Sequence, residues 1–276
     1  MALTSLQSRV LTASILAPVA ILAVLALPPS GFALALGLIL LGAAWEWSAL
    51  GGLTASAARL GYVVLIGTAL ILLWFLPEAE VAPLLLLVSL WWWLVAVWLF
   101  RLNQIEPGAG PAPGRLLAGL LALTGPWLAM TQLHGASPRG PALVLFLLFL
   151  IWTADIAAYF SGRRWGRTKL APVLSPGKTW EGVLGAGAGA ALLGLALGYW
   201  LDLAPLATLG ALMLCLTTAF ISVVGDLFES LLKRRQGVKD SSHLLPGHGG
   251  LLDRIDSLTA AAPFFVLGLI WLGVPT

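Results

Sequence analysis

Nine apolar runs, each close to the length that crosses a bilayer, follow one another along this chain with short polar breaks between them. A hydrocarbon core of about 30 Å takes roughly 20 apolar residues per helix. No water reaches that core and open sheet edges are forbidden in it, so the runs must be helices. They fall at 10–27, 31–50, 60–76, 81–100, 116–133, 141–160, 183–201, 205–227 and 258–274. Proline and glycine mark the breaks, as at Pro28-Pro29, Pro77, 107–114 and 137–140. Only 10% of the 276 residues are charged, against about 25% in soluble domains. The expected fold is all-α: a polytopic membrane helix bundle of about nine transmembrane helices.

Charge sets the orientation. With the N-terminus in the cytoplasm, alternation puts 14 of the 15 Lys and Arg on the cytoplasmic side and only Arg139 outside. That bias satisfies the positive-inside rule and leaves the C-terminus outside. Arg9 before an apolar run would suit a signal peptide. No convincing small-x-small cleavage site precedes Pro28, however, and the charge parity works with the segment kept, so it is read as a retained span. The lone Cys215 lies in an apolar run, which excludes a disulfide framework and suits an inert buried thiol. The pI of about 9.4 comes from loop Lys and Arg without a long basic tail. It points to topology and anionic substrates, not nucleic acid.

The chain divides into an N-terminal set of about five spans (1–140) and a C-terminal set with two polar cytoplasmic loops (141–276). The first set is chemically quiet. Trp45, Trp47, Trp91, Trp92, Trp93 and Trp98 suit aromatic belts and lipid contact. Glu46, near a helix end, reads as an interfacial carboxylate that snorkels or meets a partner, and His134 as a surface histidine. No internal repeat of the kind that marks many transporters is visible.

Residues 155–256 hold 10 of the 15 basic and 8 of the 12 acidic residues. Charge beside a membrane is costly and marks function by default. Asp155 and Tyr159 share a helix face four residues apart. After Arg163, Arg164, Arg167 and Lys169 comes Ser175-Pro176-Gly177-Lys178-Thr179-Trp180-Glu181-Gly182, which opens the seventh helix. Free N–H groups and a Lys at a helix start suit phosphate; a plain N-cap is the alternative. In the eighth helix Asp226, Glu229, Ser230 and Lys233 form one stripe, facing a cavity or an internal salt bridge. Arg234, Arg235, Lys239, Asp240, His243, His248, Gly249 and Gly250 follow, and then Asp253, Arg254 and Asp256. Asp253 and Asp256 share a face at the start of the ninth helix. With Asp226 they would offer three carboxylates to a hard cation such as Mg²⁺. Gly249 and Gly250 allow close backbone approach to a ligand. Zinc is disfavoured, because no His/Cys pair has ligand spacing. Small residues on the seventh helix, among them Gly185/Gly189 and Gly194/Gly198, suit helix packing, with a subunit interface as the lesser option.

The run Ser230-x-Leu232-Lys233-Arg234, Lys239-Asp240, Leu245-Pro246-Gly247-His248-Gly249-Gly250, Asp253-Arg254-Ile255-Asp256 resembles the hallmark of the phosphatidate cytidylyltransferases (CDP-diacylglycerol synthases). The 175–182 stretch and the Asp155/Tyr159 pair are similar to further elements of that family, and Ser242 departs from it where Gly is more usual. The resemblance implies a nucleotidyltransferase that makes CDP-diacylglycerol and pyrophosphate from CTP and phosphatidate at the cytoplasmic membrane face. It implies Mg²⁺ on Asp226, Asp253 and Asp256, and allows a second, monovalent cation such as K⁺. Lys233, Arg234, Lys239 and Arg254 would neutralise phosphate charge, with Asp240 and His248 beside them. Ser175, Lys178 and Thr179 would hold phosphate; Asp155, Tyr159, Glu181, Ser230, Gly249 and Gly250 complete the substrate site. A homodimer in a bacterial inner (cytoplasmic) membrane is the expected setting. A polyprenol kinase-like CTP enzyme and an ion-coupled transporter are the rival readings. A CDP-alcohol phosphatidyltransferase is disfavoured, because its opening Asp-Gly-x-x-Ala-Arg is missing.

Overall fold

The computed structural model describes residues 5–106, 108, 110–242, 244 and 249–275. His243 and His248, singled out above, lie outside the described residues.

Each of the nine apolar runs forms a helix: α1 (Ser5–Ala26), α2 (Pro29–Leu50), α3 (Ser56–Trp74), α4 (Glu78–Phe100), α5 (Pro113–Gly135), α6 (Gly140–Trp165), α7 (Trp180–Trp200), α8 (Pro205–Arg235) and α9 (Asp256–Trp271). Seven of these, α2 to α8, are long and apolar enough to cross a membrane. The start signals are local. Proline opens α2, α5, α6 and α8 within the first two positions, where its missing N–H costs nothing. Between α6 and α7 the chain forms a small antiparallel hairpin, β1 (Lys169–Ala171) with β2 (Ser175–Thr179). The hairpin is an addition to the all-helical expectation. Leu170 and Leu174 are buried and seat it.

The bundle is organised around α9, which packs on α4, α5, α6 and α8. Its 16 residues span about 24 Å, and every residue from Thr259 to Leu267 is buried. A helix that is apolar all round belongs inside a bundle, not at its rim. Helices α6, α7 and α8 pack in sequence. The α7 glycines make that possible within one protomer. A Cβ on Gly194 would sit 2.6 Å from the Leu212 Cα, and one on Gly185 would strike the Ser161 hydroxyl.

One end of the bundle is tied by long-range polar bonds. Trp47 Nε1 donates to the Arg115 carbonyl (2.9 Å) and the Tyr62 hydroxyl to the Leu116 carbonyl (2.9 Å). Arg59 donates to Ser48 Oγ and the Trp45 carbonyl, and Gln236 Nε2 to the Leu50 and Gly108 carbonyls. Two expectations for the quiet half are corrected here. Trp45, Trp93 and Trp98 are exposed, but Trp47 and Trp92 are core residues; Trp92 meets Phe228 of α8 edge-on at 5.7 Å. His134 is buried too, stacked on Phe32 at 4.2 Å, with Nε2 2.8 Å from the Val24 carbonyl. In helices this uniformly apolar, periodicity gives little hint of which aromatic faces protein. Cys215 is buried and unpaired, as expected.

Candidate active site

The α8 stripe is where the polar residues converge. Asp226, Glu229, Ser230 and Lys233 lie at i, i+3, i+4 and i+7, so one face of an otherwise apolar helix carries all four. Lys233 Nζ donates to Glu229 Oε2 at 3.0 Å and to Asp253 Oδ1 at 2.6 Å. This ties α8 to the short 3₁₀ turn Leu252–Arg254 that precedes α9. From the other loop, Lys178 of β2 reaches Asp226 Oδ2 at 2.6 Å. The two polar loops therefore meet on one face of α8. Asp155 of α6 is exposed but lies close enough to Lys178 and Asp226 for both charges to act on it. The same two charges act on Asp256. Gly225 lets α8 and α9 cross here, since a Cβ on it would strike the Asp256 carbonyl oxygen.

Asp253 is the organiser of its loop. Beyond the Lys233 bond, its Oδ2 accepts from Gly250 N (2.7 Å), Ser241 N (3.0 Å) and Ser241 Oγ (3.0 Å). Burial acts to raise its pKa, but the Lys233 ammonium and the Gly250 and Ser241 N–H groups outweigh it, and the carboxyl is held below its ordinary value.

Glu46 is the residue that sequence reasoning underrated. Its carboxylate is only 2% exposed and accepts four hydrogen bonds from the loop between α8 and α9. Oε1 takes Ser242 Oγ (2.6 Å) and Leu251 N (2.9 Å); Oε2 takes Ser241 Oγ (2.8 Å) and Leu252 N (2.7 Å). A carboxylate from the N-terminal half thus fastens the loop that carries Asp253. Gly250 packs so tightly that a Cβ there would sit 2.5 Å from Glu46 Oε2, and Gly249 has φ +77°. Both glycines are explained by these internal approaches. The only sequence signal was a carboxylate in a greasy helix with no partner in sight.

The second polar loop differs in detail from the sequence reading. Ser175 to Thr179 is a strand, not the first turn of a helix. The Thr179 hydroxyl accepts from Gly182 N at 3.1 Å and caps α7. Glu181 accepts the Thr168 N–H on both oxygens (3.1 and 3.2 Å), fixing the hairpin to α7. Tyr159 is exposed and its hydroxyl accepts from Arg163 at 3.0 Å. Ser230 Oγ leans on Asp226 Oδ1 at 3.4 Å. Arg234, Lys239, Asp240 and Arg254 are exposed, and among the described residues none of them is in an ion pair.

Among the described residues no group of three His, Cys, Asp or Glu side chains stands in metal-ligand arrangement. Asp253 is engaged on both oxygens by Lys233 and its own loop, and Asp226 likewise meets Lys178 and Ser230, so either carboxylate would share or exchange a partner on taking a cation. Mg²⁺, however, takes only one or two carboxylates and completes its shell with water and substrate phosphate. Asp226 and Asp256 fit that need. Glu229 Oε1 adds a buried carboxylate oxygen with no hydrogen-bond partner, close enough to Asp256 for the two charges to interact.

The fold is a bundle of membrane helices that brings acidic and basic side chains of two polar loops together at one end. A sequence profile described as the Cytidylyltransferase family matches residues 7–271, and the chain belongs to that family. Similar proteins named phosphatidate cytidylyltransferase occur in Pseudomonas aeruginosa (41% identical, 96% of this chain and 97% of the relative) and Haemophilus influenzae (36%, 94% and 97%). Another of that name, from Brucella suis, is 37% identical over 96% of this chain and 93% of its own length.

Proposed function

We propose that this chain is a phosphatidate cytidylyltransferase of a bacterial inner membrane, with its polar cleft at the cytoplasmic face. A phosphatidate phosphate oxygen attacks the α-phosphorus of CTP. The bond from that phosphorus to the bridging oxygen of the β-phosphate breaks, pyrophosphate leaves, and CDP-diacylglycerol forms. The observation that carries this reading is the joining of two polar loops on one face of α8 through Lys178–Asp226 and Lys233–Asp253. The family membership and the printed names of the relatives support it.

The chemistry asks for positioning and charge stabilisation more than for a covalent intermediate. Phosphatidate is already an anionic nucleophile, so no strong general base is required. Mg²⁺, held by Asp226 and Asp256, would neutralise charge on the reacting phosphates and on the departing pyrophosphate. Lys178 holds Asp226 in place. Lys233, engaged by two carboxylates, fixes the distance between α8 and the 3₁₀ turn. Arg234, Lys239 and Arg254, exposed around the rim, receive the triphosphate and the lipid phosphate. Because the cleft lies at a helix end, a water-soluble nucleotide and a lipid headgroup can meet there.

Turnover in detergent with either phosphatidate or a polyprenol as acceptor tests the reading. Phosphatidate should be consumed with release of pyrophosphate in a Mg²⁺-dependent reaction. Asp226→Asn and Asp256→Asn should each lower the rate at least about 100-fold, the scale on which electrostatic groups at a transition state act. Product from the polyprenol alone, or full Mg²⁺-dependent activity in both variants, would overturn it.

A further inference from the structure

Helix α8 also lines a cavity on the face away from the polar stripe. A cavity of about 510 Å³ lies between α4, α5 and α8, within the size range of small-molecule sites. Trp91, Val95 and Trp98 line it from α4, and Phe228, Leu232 and Arg235 from α8. Each set follows an i, i+4, i+7 row, so the cavity is a groove running along two helices. At 100° per residue this face of α8 lies roughly 140° from the Asp226/Lys233 stripe. The groove therefore stands apart from the cleft described above.

Its mouth is basic. Arg115 and Arg235 both line it, together with Glu106. Among the described residues neither arginine is in an ion pair. Arg115 spends its donors on the Leu50, Gly108 and Gly110 carbonyls. Arg235 leans over the Trp98 ring at 5.4 Å, and its Nε is buried with no hydrogen-bond partner. The sealed Nε cannot be reached from the groove, but the terminal nitrogens of this guanidinium, in no ion pair among the described residues, can meet a phosphate oxygen. Two arginines against one glutamate leave a net charge of +1, which matches a singly charged phosphodiester better than a doubly charged phosphomonoester. Apolar aromatic walls below a basic mouth, at the helix ends where headgroups lie, match a lipid with its chain in the groove.

We infer that this groove binds one anionic diester glycerophospholipid, of the phosphatidylglycerol type, at a site separate from the reacting substrates. The test is native mass spectrometry of the full chain in neutral detergent with phosphatidylglycerol, phosphatidylcholine or phosphatidate of matched acyl chains. Binding is read without turnover, so the result stands whether or not the proposed reaction does. One phosphatidylglycerol should be retained in preference to phosphatidylcholine. Arg235→Gln should weaken retention about five- to tenfold, and Arg235→Lys should restore part of it. Val95→Trp, which fills the groove and keeps both arginines, should abolish it. Both Arg235→Gln and Val95→Trp should keep the turnover measured in neutral micelles. Equal retention of phosphatidylcholine, retention of phosphatidate alone, or unchanged retention in Arg235→Gln and Val95→Trp would overturn the assignment.

Discussion

Glu46 and Asp253 carry opposite sides of the same small construction. Each is a buried carboxylate that collects hydrogen bonds from the loop between α8 and α9. Replacing Glu46 by Gln keeps the shape and removes two acceptor sites. The amide NH₂ would then face a backbone N–H of Leu251 or Leu252, donor against donor, and leave it unsatisfied at a cost of about 1–3 kcal/mol. Glu46→Gln should therefore lower kcat by about tenfold or more while the protein stays folded, and Glu46→Asp should recover little because its shorter arm cannot span both oxygens' partners. Wild-type kcat in Glu46→Gln would show that the fastening is dispensable. For Asp253 the prediction concerns pH. A carboxyl whose folded pKa is depressed stabilises the fold fully above its unfolded value of about 3.9, and loses that contribution as pH falls through the folded value. Thermal unfolding of the wild type should be nearly insensitive to this group from pH 5 to 8 and should weaken on further acidification. Asp253→Asn should unfold at lower temperature at neutral pH and show a flatter acid limb.

Among the elements, α7 shows why small residues matter where no water drives association. Its glycines face α6 and α8 in the same protomer, through Gly185 on Ser161, Gly189 on Thr153, Gly194 on Leu212 and Gly198 on Thr208. Gly194→Ala would press a methyl group into the α8 backbone and should destabilise by about 1–3 kcal/mol, the usual cost of overpacking. Gly187, whose added Cβ would meet only Leu216 Cδ2 at an ordinary 3.8 Å, is the control: Gly187→Ala should leave the unfolding temperature unchanged. Equal loss in both variants would count against this packing. The helices themselves were readable from the sequence because a spanning run must be long and apolar. The hairpin Lys169–Thr179 was not, since Pro176 and Gly177 disguise a strand as a turn. The apolar run of α8 stops at residue 227, but the i, i+3, i+4, i+7 spacing of Asp226, Glu229, Ser230 and Lys233 carries the helix further, and the structure extends it to Arg235. That stripe continues the helix out of the apolar layer.

For the whole molecule, the sequence revealed which residues were polar and that two loops held them. It did not reveal that a carboxylate from the second helix anchors the loop between α8 and α9, because Glu46 and Leu252 are separated by more than two thirds of the chain and are brought together by the packing of α2, α5 and α9. His248 lies outside the described residues, so its part in the cleft rests on the sequence resemblance. The proposed reaction transfers a cytidylyl group and not a phosphoryl group. CTP labelled separately at the α- and γ-phosphorus, supplied with phosphatidate and Mg²⁺, decides this directly. The α-label should appear in the lipid product, with the γ-label recovered in an equal amount of pyrophosphate. Transfer of the γ-label to lipid would instead identify a kinase.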